Sequence, residues 1–556
     1  LITDARELAD GHLLDTDVCI VGAGVAGITL ARALSTDTVN VLVIEAGGRR
    51  PEKLAQSMFW GRNVGHSYYG LDTARCCGVG GSSHKWLIQL PDKTLGARLH
   101  PLEPIDFETR SWVPNSGWPF SYEQLVPYYE AAQQYCMAGP FSYDPSPWSQ
   151  ADRTPTLPLP GRNVESTVFQ FASRDAFIHH PLEAIKASPT INLLTHATAL
   201  DLDTNDAGTQ VQGLRLATGT GQMLKVSAKR FVLAAGALES ARLLLLSDRV
   251  HQRGLGNQHD LVGRYFMEHP HVWTGRYMAS SQMNVDQLRF YSHHQAGKMS
   301  ILGKLKTTDA AQRKYELLNH CISLHLNVKR HRTNVAPQWP INSWPLFVSD
   351  AYRQGHRAEG TGIVAADGDC QPPTSMVTGE LVKRIRALRA GGGKIARHLL
   401  GGLADRLRPT PMDFKINHMS EQVPNPDSRV YLGSEKDRFG RRRIELDWRL
   451  TELDLRSIIR SQQLIDEELR QAGLGHLKID ADVRRLDNNI QGGWHHMGTT
   501  RMHADQRKGV VDSDCRVHGV DNLFIAGPSV FPTSGYANPL LTIVALSVRL
   551  ADHLKQ

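Results

Sequence analysis

The feature that most constrains this chain is a glycine-spaced turn near its N-terminus. Asp17-Val18-Cys19-Ile20-Val21 is short, apolar and rich in β-branched residues, the composition of a strand buried in a parallel sheet. It runs directly into Gly22-Ala23-Gly24-Val25-Ala26-Gly27, and residues 27–34 then carry an apolar stripe at helical spacing. In a strand–turn–helix unit each glycine has its own task. Gly22 permits the tight turn, Gly24 lets a pyrophosphate approach the backbone, and Gly27 lets helix and strand pack closely. The free N–H groups and positive dipole end of the helix then face the phosphates. Residues 39–44 form a second apolar strand ending at Glu45, 18 residues beyond Gly27, where a carboxylate can meet the ribose hydroxyls. An acid at that place favours a cofactor without a 2′-phosphate.

The same theme returns twice. Phe231-Val232-Leu233-Ala234-Ala235-Gly236 leads into a helix at 237–246, and Leu523-Phe524-Ile525-Ala526-Gly527 precedes a terminal helix over 539–554. Residues 191–194 and 211–216 read as further strands. Strand-to-helix units so widely spaced predict an α/β, overall α+β, molecule. Its discontinuous Rossmann-like dinucleotide domain comprises residues 1–100, 165–260 and 485–556. Residues 101–164 and 261–484 then form a second, substrate-binding domain, expected to be a largely antiparallel sheet with helices. A basic, Pro/Gly-rich stretch near 330–400 reads as a lid-like insertion.

Composition removes several classes. Hydrophobic residues are 41% and charged residues 21% of the 556, an ordinary globular balance. No apolar run has the length of a membrane span, and the first residues lack the basic-then-apolar pattern of a secretory signal, so a cytoplasmic protein is expected. A net charge of +7 on this length is no nucleic-acid stripe, and the run Arg441-Arg442-Arg443 reads as a solvated face. The seven cysteines are odd in number and irregularly spaced, which argues against a disulfide framework. Pairs such as His269/His271 and His293/His294 fit no common zinc pattern, so no metal is expected.

One dinucleotide fingerprint, without a second for NAD(P)H, points to FAD as the resident cofactor. Four further stretches carry a resemblance. They are Arg75 with Gly80-Gly81-Ser82-Ser83, Gly236-Ala237-Leu238-Glu239-Ser240-Ala241, His495-His496-Met497-Gly498-Thr499-Thr500-Arg501-Met502 and Gly535-Tyr536-Ala537-Asn538-Pro539. In content and order they resemble the glucose–methanol–choline (GMC) oxidoreductases, and within them the branch of pyranose oxidases and bacterial glycoside 3-oxidases. The resemblance implies an FAD-dependent enzyme that oxidises a ring hydroxyl of a sugar or glycoside to a ketosugar. His495 would take the hydroxyl proton, flavin N5 would take the hydride, and Asn538 would orient the hydroxyl oxygen. Along the flavin it implies Gly22, Gly24, Gly27, Glu45, Arg75, Gly80, Gly81, Ser82, Ser83, Ala197, Ala235, Gly527 and Pro539. Glu421 and Gln422, before the Pro424-Asn425-Pro426 turn, are candidates for contacts to sugar hydroxyls.

Pyranose oxidases attach the flavin through a His that Lys85 replaces here, with His84 one place early, so FAD is expected to be non-covalent. Asn538-Pro539 before an apolar helix also reads as N-cap and N1, which directs the helix's positive end at the flavin. Oxidation of a primary alcohol on an aminosugar or polyol is an alternative, and a non-catalytic flavin electron relay a third. Oxidase and dehydrogenase, the position oxidised (C2, C3 or C6), the acceptor (molecular oxygen or another) and any oligomer stay open.

Overall fold

The computed structural model describes residues 1–556 except 36–37, 51, 91, 93, 284, 327–412 and 480–488. The lid-like stretch expected near 330–400 lies outside the described residues.

A first sheet carries the glycine turn. Its parallel core runs, from one edge, Ile2–Asp4, Ile191–Thr195, Val41–Ile44, Leu13–Val21, Met223–Leu233 and Leu523–Ile525. The chain enters this core from three distant parts of the sequence, as the scattered strand-to-helix units require. Met223–Leu233 serves two structures. Its second half pairs with Leu523–Ile525, and its first half pairs antiparallel with Val211–Thr218, which in turn pairs with Ala197–Thr204. The central strands are closed on both faces, with Cys19, Ile20, Val41 and Val43 fully buried, and this is why they read as continuous apolar runs. One face is covered by the helix Val25–Leu34, which packs against the terminal helix Leu540–Lys555. Both helices are apolar nearly all round because Val25–Leu34 lies between the sheet and the terminal helix, and the terminal helix lies between Val25–Leu34 and the helix Tyr122–Tyr135.

The second sheet is antiparallel in every pairing among the described residues. Its order is Gly475–Lys478, His271–Ala279, Asp413–Ser420, His320–Leu326, Met299–Thr307, Val164–Ser173, Leu95–Leu99 and Leu87–Gln89. The long amphipathic helix Glu452–Gln471 lies on it and buries Ile458, Leu464, Ile465 and Leu469. Leu87–Gln89, Leu95–Leu99 and Val164–Ser173, which the sequence division assigns wholly or in large part to the dinucleotide unit, are therefore strands of this sheet. Alternation in the sequence shows that a strand exists; the ladder it joins is set by its partners in space.

A small third sheet joins Arg429–Lys436, Arg442–Asp447 and Arg62–Asn63. Here the run Arg441–Arg443 is a stitch, not the solvated face the sequence suggests. Arg441 Nη2 lies 2.6 Å from Asp201 and donates to the carbonyls of Leu200 and Leu246, and Arg443 Nη1 donates to the carbonyls of Ser57 and Trp60. No helix among the described residues is long and apolar enough to cross a membrane.

Candidate active site

The glycine turn shows three different reasons for the same residue type. Gly22 stands at φ +113°, and a Cβ there would lie 2.6 Å from the Ala234 carbonyl oxygen. A Cβ on Gly27 would lie 2.0 Å from the Gly22 carbonyl oxygen, so this glycine seats helix on strand. A Cβ on Gly24 would meet only Gly81 Cα, at 3.9 Å, and would stand in open space beside the turn. That space is a cavity of about 180 Å³.

Gly22, Gly24, Glu45, Arg75, Gly81, Ser82, Ser83, Ala197, Ala235 and Gly527 all line this cavity. Gly27 and Gly80 do not line it. Gly80 instead donates its N–H to the Ala23 carbonyl at 2.8 Å and pins the Gly80–Ser83 loop to the glycine turn. Glu45 is buried and accepts the N–H groups of Ala23 (3.0 Å) and Gly47 (2.9 Å), so its carboxylate braces the turn as well as facing the cavity. Burial is the largest influence on its acidity and pushes its pKa up. Arg75 is held away from free solution by Glu239 at 2.6 Å, with Nε donating to the Leu71 carbonyl. The His84 ring is engaged by the Val79 carbonyl at 3.0 Å.

Beyond Trp86 and Trp494, which border both spaces, lies a smaller chamber of about 10 Å³ walled by Lys85, Arg98, Gly493, His495, Asn538 and Pro539. Asn538 Nδ2 is 3.0 Å from His495 Nε2. Among the described residues Asn538 Oδ1 is buried with no hydrogen-bond partner, an acceptor left over in a polar chamber. His495 Nδ1 lies 2.9 Å from His269 Nδ1. Burial, reinforced by His269 and His271, holds the His495 pKa well below the usual histidine value, so the ring is neutral and keeps a lone pair near neutral pH.

The backbone around His495 is clamped by one carboxylate. Glu268 Oε2 accepts the N–H groups of Gly493, His495 and His269, each at 3.0 Å, and Oε1 accepts the Tyr68 hydroxyl. The clamp holds Trp494 at φ +62°, in the left-handed region that a bulky residue rarely occupies. Burial pushes Glu268 up to about 7. The adjacent His496 turns the other way, with Nε2 2.8 Å from the Tyr68 hydroxyl, and borders the larger cavity.

Three sequence expectations need correction. The terminal helix begins at Leu540 with Pro539 at its N-cap, so Asn538 is not the cap; its side chain is spent on His495. Glu421 lines neither cavity. It is fully buried and grips Arg110 through both oxygens, 2.8 Å on one side, while accepting the Asn319 N–H at 3.0 Å. Gln422 is likewise buried, its Oε1 accepting from Trp448 Nε1 and the Glu268 N–H, both at 2.9 Å. Sequence reasoning missed Glu268, Tyr68 and the role of His269. Nothing local in residues 263–270 ties them to residue 495.

A family model described as GMC oxidoreductase matches residues 424–547. The fructose dehydrogenase large subunit of Gluconobacter japonicus is 24% identical over 97% of both chains. The 6'''-hydroxyparomomycin C oxidase of Streptomyces lividus is 25% identical over 97% of this chain and 92% of its own. Residues 424–547 therefore carry a GMC oxidoreductase domain. A C-glycoside 3-oxidase of Microbacterium trichothecenolyticum is 34% identical over 23% of this chain and 24% of its own. The crystal structure of pyridoxine 4-oxidase from Mesorbium loti shares the fold, with a TM-score of 0.53 at 17% identity, covering 97% of this chain and 99% of that one. FAD is the cofactor of this enzyme, and the residues fit it. The space beside Gly24 is one that a Cβ would fill, and the cavity is lined both by Glu45 and by the two tryptophans that border the His495 chamber.

Proposed function

We propose that this enzyme oxidises a ring hydroxyl of a sugar or glycoside to a ketosugar, with His495 as the base. The observation that carries the reading is the pairing of His495 Nε2 with the Asn538 amide at 3.0 Å, inside a chamber that shares Trp86 and Trp494 with the cofactor cavity. The flavin, when bound, supplies the hydride acceptor. The chain's own residues handle the other half of the oxidation, removal of the hydroxyl proton. A neutral His495 accepts that proton at Nε2, displacing the Asn538 contact. Asn538 then has its Nδ2 donors to offer the substrate oxygen as charge builds on it, and the start of the Leu540–Lys555 helix adds a positive dipole end at the same place. Trp86 and Trp494 supply apolar faces of the kind on which sugar rings stack.

The sugar reading is also supported by the relatives named for fructose and C-glycoside oxidation. The Streptomyces relative named for hydroxyparomomycin favours a second reading, oxidation of a primary alcohol on an aminosugar or polyol. FAD is held without a covalent bond, a reading supported by the engagement of His84 with Val79. Molecular oxygen or another acceptor removes the electrons. The buried thiols of Cys19, Cys136 and Cys515 favour a reducing compartment such as the cytoplasm.

The test is anaerobic bleaching of the bound flavin by a panel of sugars, glycosides and aminosugars. A neutral glycoside should bleach it, and His495→Ala should keep the flavin and lose bleaching by ~10²-fold or more. Bleaching by aminosugars alone would select the second reading, and bleaching by nothing in the panel would favour an electron relay.

A further inference from the structure

An imidazole that is to take a proton at Nε2 must carry its own proton on Nδ1, and the free ring holds both tautomers. Here the choice traces back to a backbone carbonyl on the far side of a second histidine. The Ser534 carbonyl oxygen lies 3.2 Å from His269 Nε2. A carbonyl only accepts, so His269 carries its proton on Nε2 and presents a lone pair at Nδ1. That lone pair sits 2.9 Å from His495 Nδ1. Two lone pairs would repel at this distance, so His495 Nδ1 is the donor. His495 Nε2 is then the unprotonated nitrogen, and the Asn538 amide, approaching it at 3.0 Å with Nδ2, is a donor. Each link permits one direction.

We propose that His269 is a positioning residue for the oxidation: it accepts the Nδ1–H of His495 and so holds that ring in the tautomer whose Nε2 can take the substrate's proton. The inference rests on the reading of His495 as the base. The two rings meet edge to face, with centroids 5.0 Å apart and planes at 72°. Their separation is set by the Glu268 carboxylate, which binds the backbone N–H of both residues at 3.0 Å. His269 is fully buried, so water does not compete for its Nδ1. The nearby His271 does not take this place, because its Nδ1 faces Asn417 Oδ1 at 3.3 Å. In many enzymes a carboxylate orients the base histidine. A neutral imidazole gives the same direction without an opposite charge, so the protonated His495 is not trapped in an ion pair and can give the proton up.

The experiment is nitrogen-15 NMR of the flavin-loaded protein with ring-labelled histidine, the His495 signals being assigned by their loss in His495→Gln. Wild type should show His495 protonated at Nδ1 and bare at Nε2. His269→Phe, or the smaller His269→Leu where Phe does not fold, should lose that pattern. His269→Gln, whose amide oxygen can accept, should recover it. In parallel, bleaching by methyl β-D-glucopyranoside and D-glucose should slow by ~10²-fold or more in His269→Phe with KM nearly unchanged, and His269→Gln should regain part of the rate. Wild-type His495 protonated at Nε2, or an unaltered tautomer in the folded His269→Phe or His269→Leu protein, overturns the proposal, even if bleaching slows. Bleaching that survives His495→Ala overturns the base itself, and the NMR result distinguishes the two failures.

Discussion

Two alanine substitutions three residues apart in the glycine turn should fail in opposite ways. Gly27→Ala brings a Cβ to 2.0 Å from the Gly22 carbonyl oxygen and 3.2 Å from both the Gly22 carbonyl carbon and Ala234 Cβ, against the 3.0 Å below which real Cβ contacts essentially do not occur. Helix and strand must separate by about an ångström, and neither partner is a side chain that can rotate away. Overpacking of this kind costs about 1–3 kcal/mol, and a backbone-on-backbone clash belongs at the upper end. About 3 kcal/mol lowers the folding equilibrium constant by roughly two powers of ten and the melting temperature of the flavin-free protein by roughly 3 °C. Gly24→Ala adds the same methyl where φ is an ordinary −76° and the nearest atom is Gly81 Cα at 3.9 Å. The flavin-free protein should melt within about 1 °C of wild type. The methyl stands where a pyrophosphate must approach the backbone, so FAD affinity should fall at least ~10-fold, about 1.4 kcal/mol. Calorimetry of flavin-free protein and fluorescence titration with FAD measure both quantities. A Gly24→Ala protein that binds FAD like wild type, or a Gly27→Ala protein with unchanged melting, would refute the reasoning.

Asn538→Ala removes the donor to His495 Nε2 and the unpartnered Oδ1, so the bleaching rate should drop ~10²-fold with FAD still bound, as stopped-flow absorbance would show; a rate within about threefold of wild type would count against it. Glu421→Ala strands the buried Arg110 guanidinium and should cost about 3–5 kcal/mol in a denaturant melt while the folded fraction bleaches normally; selective loss of sugar binding at full stability would return Glu421 to the substrate pocket. Glu268 has a folded pKa raised by burial to about 7 from an ordinary 4.5, so the folded state binds this proton more tightly than the unfolded chain. Its contribution is complete below the unfolded value and is lost as pH rises through about 7, about 3 kcal/mol in all. Asp454, raised by burial to about 7, acts in the same sense, whereas buried histidines such as His269, lowered to about 4, weaken the fold as pH falls. The readout is therefore the difference between wild type and Glu268→Gln melting at pH 5 and pH 8: the variant should lose less stability over that rise, and an equal loss would show that Glu268 does not titrate there.

Several parts of this enzyme were legible because their causes are local. A strand ending in glycine and continuing as a helix needs only neighbouring residues to declare itself, and the units at Leu13–Leu34, Met223–Leu246 and Leu523–Lys555 formed where their patterns indicated. Glu45 was legible for the same reason: its place follows from strand length and the rise per residue. Other features look identical in sequence whatever their fate. An acid before a proline turn carries the same local signature whether it faces a sugar or, as Glu421 does, an arginine 311 residues away. Asn-Pro before an apolar helix looks like a cap, yet the Asn538 amide is drawn to an imidazole 43 residues upstream.

The sequence by itself determined that a dinucleotide fold would form, that it would be assembled from separated segments, and which family's motifs it carries, because period, glycine spacing and motif order are written along the chain. Only the tertiary structure decided that Leu87–Gln89 and Leu95–Leu99 join the antiparallel sheet, that Glu268 grips the backbone of both His269 and His495, and that these two rings meet 226 residues apart in sequence. The reason is physical. A local pattern fixes which way a side chain points from its own element, but the partner it meets there depends on how distant elements pack, and burial then gives that meeting its chemistry.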